Sequence, residues 1–553
     1  MRQLPLWLGI ALAWPALAQP TLPDAGQIQR QELAPQLQPP RPGATVEVQA
    51  PAVGLTLPGG AQLRLQGLRF VGNTVFDEAQ LRAVLGDALG QSYDLAGLRA
   101  LAERISAHYR ASGYPFARAL LPPQPLTDGQ LLIQVVEGRY AQVRALSDES
   151  GLADAAQPWL GRLVGGTVIE SAQLERTTLV LDDQPGIQIS PIIRPGQEVG
   201  TGDLDVRVLR TPGLGGEVGF DNHGNRFTGA QRLRLNLQWD SPFAFGDQFS
   251  ARFLYSEEGM WLGSLSYSLP LGYSGLRGNI GYSHTYYELG QEFARLHASG
   301  TAKTSSVGVS YPLLRSQRTN LNAGLTWQHK RLNDRQQQAG LDDHKSSDSL
   351  PLTLNFDHRD PIGGGAITYG SVGVTVGRLR LGAALATQDR ASGQHTAGNF
   401  NKWNLDIARV QATPVPGLTL FGRLSRQWAS KNLDSSEGFG VGGASGVRAY
   451  PQGEANGDEG WLAQFELRYS LGAFSPYAFY DAGRVRINAQ PETLAVAPSP
   501  NQRAIEGAGV GVRYQQGPWN LDASLAWRTH GGEAQSDSRQ RNPRMWVTAA
   551  YRF

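Results

Sequence analysis

The sequence has 553 residues, no cysteine, 67 glycines and a formal net charge of +2. This balance argues against nucleic acid as the main partner, and the absence of cysteine excludes stabilisation by disulfides. Only 18% of the residues are charged, below the roughly 25% that is usual in globular domains.

Residues 1–18 are predicted to be a secretory signal peptide. Arg2 precedes the apolar run Leu4–Leu17, and Ala16-Leu17-Ala18 forms a small-x-small cleavage site. The run is shorter than the ~20 apolar residues of a membrane-spanning helix, and no later segment approaches that length. The mature chain is therefore expected to leave the cytoplasm and to contain no transmembrane helix.

Residues 19–62 are predicted to be a proline-rich segment before the first domain. Asp24 can cap a short helix between Asp24 and Ala34, and the stretch after it has the composition of an extended linker. Two alternatives stay open for this region: a functional helix, or a disordered mature N-terminus.

Two small α/β domains are predicted next, over residues 63–140 and 141–212. Their helical patterns lie at Asp77–Leu85, Asp94–Ser112 and Ser171–Leu181. Their strand patterns lie at Leu63–Val71, Leu131–Val136, Ile187–Ile193 and Leu204–Leu209. Each domain has about 70 residues, which is small but sufficient for an independent fold.

Residues 213–553 alternate apolar and polar side chains to the end of the chain. In Gln231–Trp239, for example, Leu233, Leu235 and Leu237 share one face with Trp239. A soluble sandwich also alternates. Aromatic residues near strand ends, a polar opposite face and the persistence of the pattern favour an all-β transmembrane barrel. Tyr551 and the terminal Phe553 are interpreted as its C-terminal signal.

Sixteen antiparallel strands are predicted in this barrel, an even number as in single-chain outer-membrane barrels. They start near Gly213, Gly229, Gln248, Trp261, Leu276, Ser305, Leu321, Ser349, Thr368, Lys402, Leu418, Trp461, Phe474, Ala504, Trp519 and Met545. Tight turns alternate with long connections, which are predicted at Tyr287–Thr301, Asp334–Lys345, Thr387–Asn399, Asp434–Gly460 and Thr529–Pro543. The long loops are expected outside the cell and the tight turns in the periplasm.

The loop over residues 434–460 carries Arg448 after a glycine-rich stretch that can fold into a confined space. Asp481 shares a strand face with Phe479 and Gly483, and an ionised carboxylate makes that face the lumen. We predict that Arg448 pairs with Asp481 there, because a guanidinium that leaves water needs an acidic partner. The open alternatives are a solvent-exposed Arg448, or a pair with Glu454, Asp458 or Glu466.

No catalytic, cofactor or metal site is predicted, and the protein is not expected to be an enzyme. The pattern Gly438-x-Gly440-x-x-Gly443 formally fits a dinucleotide fingerprint, but it lies between barrel strands and lacks the strand–helix context. The histidines are scattered, and no Walker motif occurs.

Three groups of residues carry a family resemblance. One group comprises Phe70-Val71-Gly72-Asn73-Thr74, Ser112-Gly113-Tyr114-Pro115, Asp128-Gly129, Leu131 and Glu137-Gly138; the others are Gly442-Gly443, Ser445 and Val447-Arg448-Ala449-Tyr450, and Phe479, Asp481 and Gly483. In this order they resemble the POTRA domain, the sixth-loop motif and the strand motif of two-partner secretion transporters. These TpsB-type hemolysin/hemagglutinin exporters belong to the Omp85 superfamily. One departure is Ala449, where the loop motif usually has glycine.

The resemblance implies a barrel in the Gram-negative outer membrane, with two POTRA-like domains in the periplasm. Its partners would be one large secreted TpsA-like passenger, expected to be β-helical, outer-membrane lipid, and the barrel-assembly machinery during biogenesis. The POTRA-like domains would capture the unfolded passenger by β-augmentation, and the pore would export it without nucleotide hydrolysis. They could also merely space or stabilise the barrel.

Two sets of site residues follow from the resemblance. The predicted latch between loop and strand comprises Val447, Arg448, Tyr450, Phe479, Asp481 and Gly483. The predicted passenger-binding edge strand comprises Leu131, Leu132, Ile133, Gln134, Val135 and Val136. An Omp85-type insertase is the alternative function, although room for only two periplasmic domains favours the exporter, and a diffusion porin would not need such domains. In many relatives an N-terminal helix plugs the barrel.

Overall fold

The computed structural model describes residues 22–33, 43–48, 62–125 and 128–553. The predicted signal peptide and most of the proline-rich linker lie outside the described residues. Within these four ranges, no helix combines the length and the apolar character needed to cross a membrane.

The chain first forms helix α1, Ala25–Leu33, and a short strand β1, Glu47–Val48. The Asp24 carboxylate caps α1 by accepting a hydrogen bond from the Gln27 amide at 2.8 Å. Of the two alternatives that the sequence leaves open for this segment, the structure has the helix.

The first α/β domain packs two helices on a three-stranded sheet and also contains a separate two-stranded sheet. Its elements are β2 Leu63–Arg64, β3 Gly67–Val71, α2 Glu78–Leu85, β4 Ser92–Tyr93, α3 Leu95–Ala111, β5 Arg118–Leu120 and β6 Gln130–Val136. The three-stranded sheet has the order β3-β6-β5, and the two-stranded sheet pairs β2 with β4. Asp77 forms a capping box with Gln80 at the start of α2. The core between the layers includes Leu81, Leu101 and Ile133, all fully buried.

The predicted edge strand Leu131–Val136 is not an edge, and this prediction is wrong. The sheet order is β3-β6-β5, so β6 pairs with a neighbour on both sides. Its backbone groups are already used and offer nothing to an added strand. The buried side chains Leu131, Ile133 and Val135 belong to the domain core.

The second α/β domain has a sheet of order β1-β8-β9-β7. Its elements are β7 Arg139–Leu146, α4 Leu152–Ala156, α5 Ser171–Asp182, β8 Ile187–Pro195 and β9 Thr201–Arg210. β7 was not predicted, because its exposed face is polar and its apolar alternation is weak. It begins directly after Glu137-Gly138 and follows the first domain without a linker.

Sixteen antiparallel strands close into a barrel, as the sequence predicted. They are β10 Leu214–Asp221, β11 Arg232–Asp240, β12 Gln248–Ser256, β13 Trp261–Pro270, β14 Arg277–Glu288, β15 Ala298–Arg315, β16 Thr319–Gln336, β17 Leu341–Asp360, β18 Ala366–Leu381, β19 Gly398–Ala412, β20 Leu418–Ala429, β23 Glu459–Tyr469, β24 Phe474–Arg486, β25 Gln502–Gln516, β26 Trp519–His530 and β27 Arg544–Arg552. The first strand pairs with the last, Glu217–Asp221 against Thr548–Arg552.

Two barrel features differ from the prediction. β15 and β17 begin at Ala298 and Leu341, well before the predicted starts, so most of the predicted loop Asp334–Lys345 is a β-hairpin. The strands continue past the lipid, where both faces are wet and the alternation disappears. The predicted loop Thr387–Asn399 also overlaps a helix, α6 Ala383–Ser392.

The loop between β20 and β23 contains a small hairpin, formed by β21 Phe439–Gly440 and β22 Asn456–Gly457. Because the α/β domains enter the barrel at the start of β10, the tight turns share their periplasmic side and the long loops lie opposite. The loop that carries Arg448 therefore starts from the extracellular side.

Candidate functional site in the barrel lumen

The tip of the Arg448 loop is a compact turn that only small residues permit. The Val447 amide donates to the Val441 carbonyl at 2.7 Å. Gly443 has φ +112°, and a Cβ on Gly446 would lie 2.1 Å from the Val441 carbonyl oxygen. Glycine is required at both positions, and the turn directs Arg448 toward the barrel wall.

Arg448 forms a bidentate ion pair with Asp481. Its Nε and Nη2 atoms donate to the two carboxylate oxygens at 2.8 and 2.7 Å, and its backbone amide donates to the same group at 3.1 Å. Both side chains are buried. A carboxylate that accepts three hydrogen bonds in a fixed geometry holds both the side chain and the backbone of the loop tip.

Glu466 of β23 is a second partner of the same guanidinium. Arg448 Nη1 donates to Glu466 Oε1 at 2.6 Å, and Glu466 also pairs with Arg468 and Arg513. The sequence named Glu466 as an alternative to Asp481, whereas the structure has both pairs. Glu454 pairs instead with Arg503, and Asp458 accepts from backbone amides.

Aromatic rings complete the Arg448 pocket. The guanidinium lies over the Phe479 ring at 3.5 Å from its centroid and 6.0 Å from that of Tyr477. A Cβ on Gly483 would lie 2.9 Å from the Val441 side chain, so this glycine makes room for the loop. The sequence did not single out Tyr477, although it shares the lumen face of β24 with Phe479.

Ala449 and Tyr450 fasten the loop on the other side of Arg448. The Ala449 methyl packs on Gly507, and a Cβ at position 507 would lie only 2.4 Å from that methyl. The Tyr450 hydroxyl shares its one proton between the carbonyls of His530 and Gly532, which lie 2.8 and 2.9 Å away. The alanine that departs from the family motif therefore faces a glycine that accommodates it.

The last barrel strand also contacts the loop. Trp546 of β27 donates its indole N–H to the Arg448 carbonyl at 2.7 Å. At the end of this strand, Tyr551 packs on Trp519, and the backbone of Phe553 exchanges two hydrogen bonds with Gly216. The sequence missed Trp546, because nothing local relates it to a loop almost a hundred positions earlier.

Helix α1 also lies in the lumen and contacts strands far apart around the barrel. Glu32 pairs with Arg232 of β11, Gln29 donates to Thr304 of β15, and Asp24 pairs with Lys345 of β17. Its Arg30 donates to Asn456 of the Arg448 loop at 2.7 Å. The helix and the loop thus share the lumen and contact each other.

In the periplasmic part, Glu137 ties together two parts of the POTRA-like motif. Its carboxylate accepts from the Thr74 hydroxyl, the Val75 amide and the Tyr109 hydroxyl. Burial alone would raise the pKa of Glu137, but these hydrogen bonds outweigh it and hold the pKa below its usual value. Burial and the neighbouring carboxylate raise the pKa of the Tyr109 hydroxyl, which therefore stays a donor.

Comparison with known proteins identifies relatives of this architecture. The family described as haemolysin secretion/activation protein ShlB/FhaC/HecB matches residues 200–514, and the ShlB-type POTRA domain matches residues 63–138. The heme/hemopexin transporter protein HuxB of Haemophilus influenzae is 26% identical over 81% of this chain and 80% of its own length.

The outer membrane transporter CdiB of Dickeya dadantii is 25% identical over 87% of this chain and 85% of its own length. Among solved structures, CdiB from Escherichia coli has a TM-score of 0.72 at 19% identity and covers 96% of both chains. At that identity the structural match shows the shared fold.

Proposed function

Because the chain belongs to the haemolysin secretion/activation family ShlB/FhaC/HecB, it is an outer-membrane transporter that exports a partner protein, and we propose how that partner enters. The family favours an export pore over an insertase. In our proposal the partner is one large secreted protein, expected to be β-helical, that arrives unfolded at the periplasmic POTRA domains.

The observation that carries the entry step is a strand added to the β8 edge of the second domain. The β1 residues Glu47 and Val48 pair in parallel with Ile192 and Ile193. The preceding Ala44 amide donates to Asp182 at 2.8 Å. An extended piece of the chain itself thus occupies this edge, which supports its ability to accept an extended peptide.

We propose that the unfolded partner replaces β1 on the β8 edge. The same linker touches the periplasmic end of the barrel, because the Gln317 side-chain amide donates from Nε2 to the Gly43 carbonyl at 3.2 Å. A peptide held along β8 would therefore be delivered next to the pore entrance. The β8 edge thus replaces strand β6 as the proposed binding site for the partner, because β6 is already paired on both sides.

The lumen then has to open for the partner to pass. The contacts of helix α1 with the barrel wall are consistent with a plug that can leave and return. α1 is held by ion pairs and hydrogen bonds to the wall and by a small apolar cluster around Ala25 and Ile28, and water can replace the polar contacts when the helix leaves. We propose that α1 moves out during export, while the pairs of Arg448 keep the loop and wall in register.

A disulfide between the linker and β8 tests the entry step. The chain has no cysteine, so Glu47→Cys with Ile192→Cys creates a single possible bond between residues that face each other in the pairing. Oxidised cells should secrete about tenfold less partner protein, and dithiothreitol should restore secretion. The two single variants are controls. Full secretion by the oxidised double variant would remove the β8 edge from the mechanism.

Depletion of the transporter tests the function itself. If the protein is an exporter, depleted cells should lose one secreted product, a large protein encoded by the neighbouring gene. The amounts of other outer-membrane proteins should stay the same. A general loss of outer-membrane barrels would support the insertase instead.

A further inference from the structure

A group of cations lies on the outward face of the barrel, above its apolar belt on the extracellular side. Lys303, Arg331, Arg378 and Arg380 belong to β15, β16 and β18, and we call them the basic patch. All four side chains are exposed and point away from the lumen, since their strand neighbours Ala302, Leu332 and Leu379 are buried.

The strand pairing places these residues in rows across the sheet. The row nearest the membrane centre is apolar and includes Val307 and Trp327, which pair, and Leu350 and Val376, which also pair. The next row outward contains Ser305, His329, Asp348 and Arg378, and the one after it contains Lys303, Arg331, Ser346 and Arg380. The surface therefore changes from apolar to cationic within two rows.

The spacing sets the depth of the basic patch. Two residues along a strand advance about 7 Å, so the cations lie about 7–14 Å beyond the last apolar row. The polar layer outside the hydrocarbon core is roughly 5–8 Å thick on each side, and tilted strands shorten the rise along the membrane normal. The basic patch therefore lies at the depth of the outer-leaflet headgroups.

The protein itself leaves the patch short of negative charge. Asp348 is its single carboxylate; it pairs with Arg380 and accepts a hydrogen bond from His329. Among the residues that the structure describes, Lys303, Arg331 and Arg378 form no ion pair. Arg331 donates a hydrogen bond to His329 Nε2 at 3.1 Å. Lys303 also lies directly opposite Arg331, and like charges in that position are destabilising unless an anion lies between them.

We propose that the basic patch binds the headgroup of an outer-leaflet glycolipid that carries two phosphates on a sugar backbone. Lys303 with Arg331 takes one phosphate, and Arg378 with Arg380 takes the other. β17 separates the two pairs, so they lie roughly 10 Å apart, a distance that a phosphorylated disaccharide spans. Arginine donates bidentately to phosphate, and Trp327 and the apolar rows below it receive the acyl chains.

The test uses the full-length protein in detergent with a bisphosphorylated lipid A, its dephosphorylated form and inorganic phosphate, each measured by native mass spectrometry. Wild type should retain the bisphosphorylated lipid, and excess inorganic phosphate should leave it bound. Lys303→Gln with Arg378→Gln removes one cation from each of the two proposed phosphate sites, and neither of these cations forms an internal ion pair. This variant should retain the lipid roughly tenfold less well, because two charge-assisted contacts are lost.

Arg335→Gln is the matched control. Arg335 lies on β16 like Arg331, but two rows further from the membrane, where it pairs with Asp342. It should bind as wild type, and heat-modifiable migration should show folded barrels in all variants. Equal lipid retention by the double variant and wild type, equal binding of the dephosphorylated lipid, or displacement by inorganic phosphate would overturn the proposal. Reduced secretion with unchanged lipid binding would do the same and would assign the patch to the exported protein.

Discussion

The Arg448 guanidinium makes three kinds of contact: a bidentate pair with one carboxylate, a second pair with another carboxylate, and packing against aromatic rings. Among the described residues, Asp481 has Arg448 as its one ion-pair partner, whereas Glu466 also has Arg468 and Arg513. Removing Arg448 would therefore leave Asp481 buried without a compensating charge, while Glu466 would keep two.

We expect Arg448→Ala to destabilise the barrel by about 3–5 kcal/mol and to stop release of the partner protein. The barrel should still assemble, because its strands keep their pairing. Heat-modifiable migration measures assembly, and the amount of partner in the medium measures export. The control Arg426→Ala removes an exposed arginine that lies over Trp428 on the outer face. Wild-type secretion by Arg448→Ala would contradict a functional role for the loop contact.

Glu137 predicts an acid-sensitive first domain. Its folded-state pKa is lowered, so its ionised form stabilises the domain above the unfolded value of about 4.3. That contribution is lost as the pH falls through the folded-state value. Glu137→Gln should cost about 1–3 kcal/mol at pH 7 and progressively less toward acid pH.

The full chain is unfolded in urea at several pH values, and proteolysis reports the unfolding of the periplasmic part. Glu78→Gln is the control, because Glu78 pairs with Arg82 on the exposed side of α2. A destabilisation by Glu137→Gln that stays the same at every pH would contradict the role of its charge.

At the scale of elements, α1 is short and mostly polar, and its position depends on contacts with the lumen. A nine-residue helix is marginal in water, so the barrel wall has to stabilise it. Its buried Ala25 and Ile28 belong to a cluster with Phe227 and Leu332 of the barrel. The ion pairs of Asp24 and Glu32 add the directional contacts.

We expect Asp24→Asn with Glu32→Gln to loosen α1 and raise the open fraction of single channels in planar bilayers severalfold. Both changes remove a carboxylate that pairs with the wall and leave side-chain size unchanged. Gln27→Ala, on the same helix, removes no charge and should conduct as wild type. Channels of the double variant that stay closed like wild type would show that these pairs do not hold the helix.

At the scale of the whole molecule, the barrel closes at the β10–β27 seam, which is the shortest strand pairing of the barrel. β10 pairs with β27 over Glu217–Asp221 and Thr548–Arg552, whereas β16 and β17 pair from Thr319 to Gln336. Fewer ladder hydrogen bonds make the seam the least protected junction.

Hydrogen exchange on the protein in lipid nanodiscs should therefore be fastest at the seam. Amides of Glu217–Asp221 should exchange well before those of Leu321–Leu325, which form five consecutive pairs within the longer β16–β17 ladder. Equal protection of the two segments would contradict the prediction.

Local alternation was sufficient to predict the barrel and its sixteen strands, because a membrane barrel puts lipid on one side of every strand and water on the other. The Arg448–Asp481 pair was also accessible, since an arginine on a glycine-rich loop and an aspartate on a lumen face each need a partner. Glu466 was named as an alternative partner of Arg448, but no local pattern could show that one guanidinium takes both carboxylates.

The remaining features depend on which segments meet in space. β6 is a central strand because it pairs with β3 and β5, and nothing in the sequence of β6 itself indicates this strand order. The lumen contact of Glu32 with Arg232 joins residues 200 positions apart, and that of Trp546 with Arg448 joins residues 98 positions apart. They exist only once the barrel has closed, because closure creates the confined space that holds helix and loop against the wall.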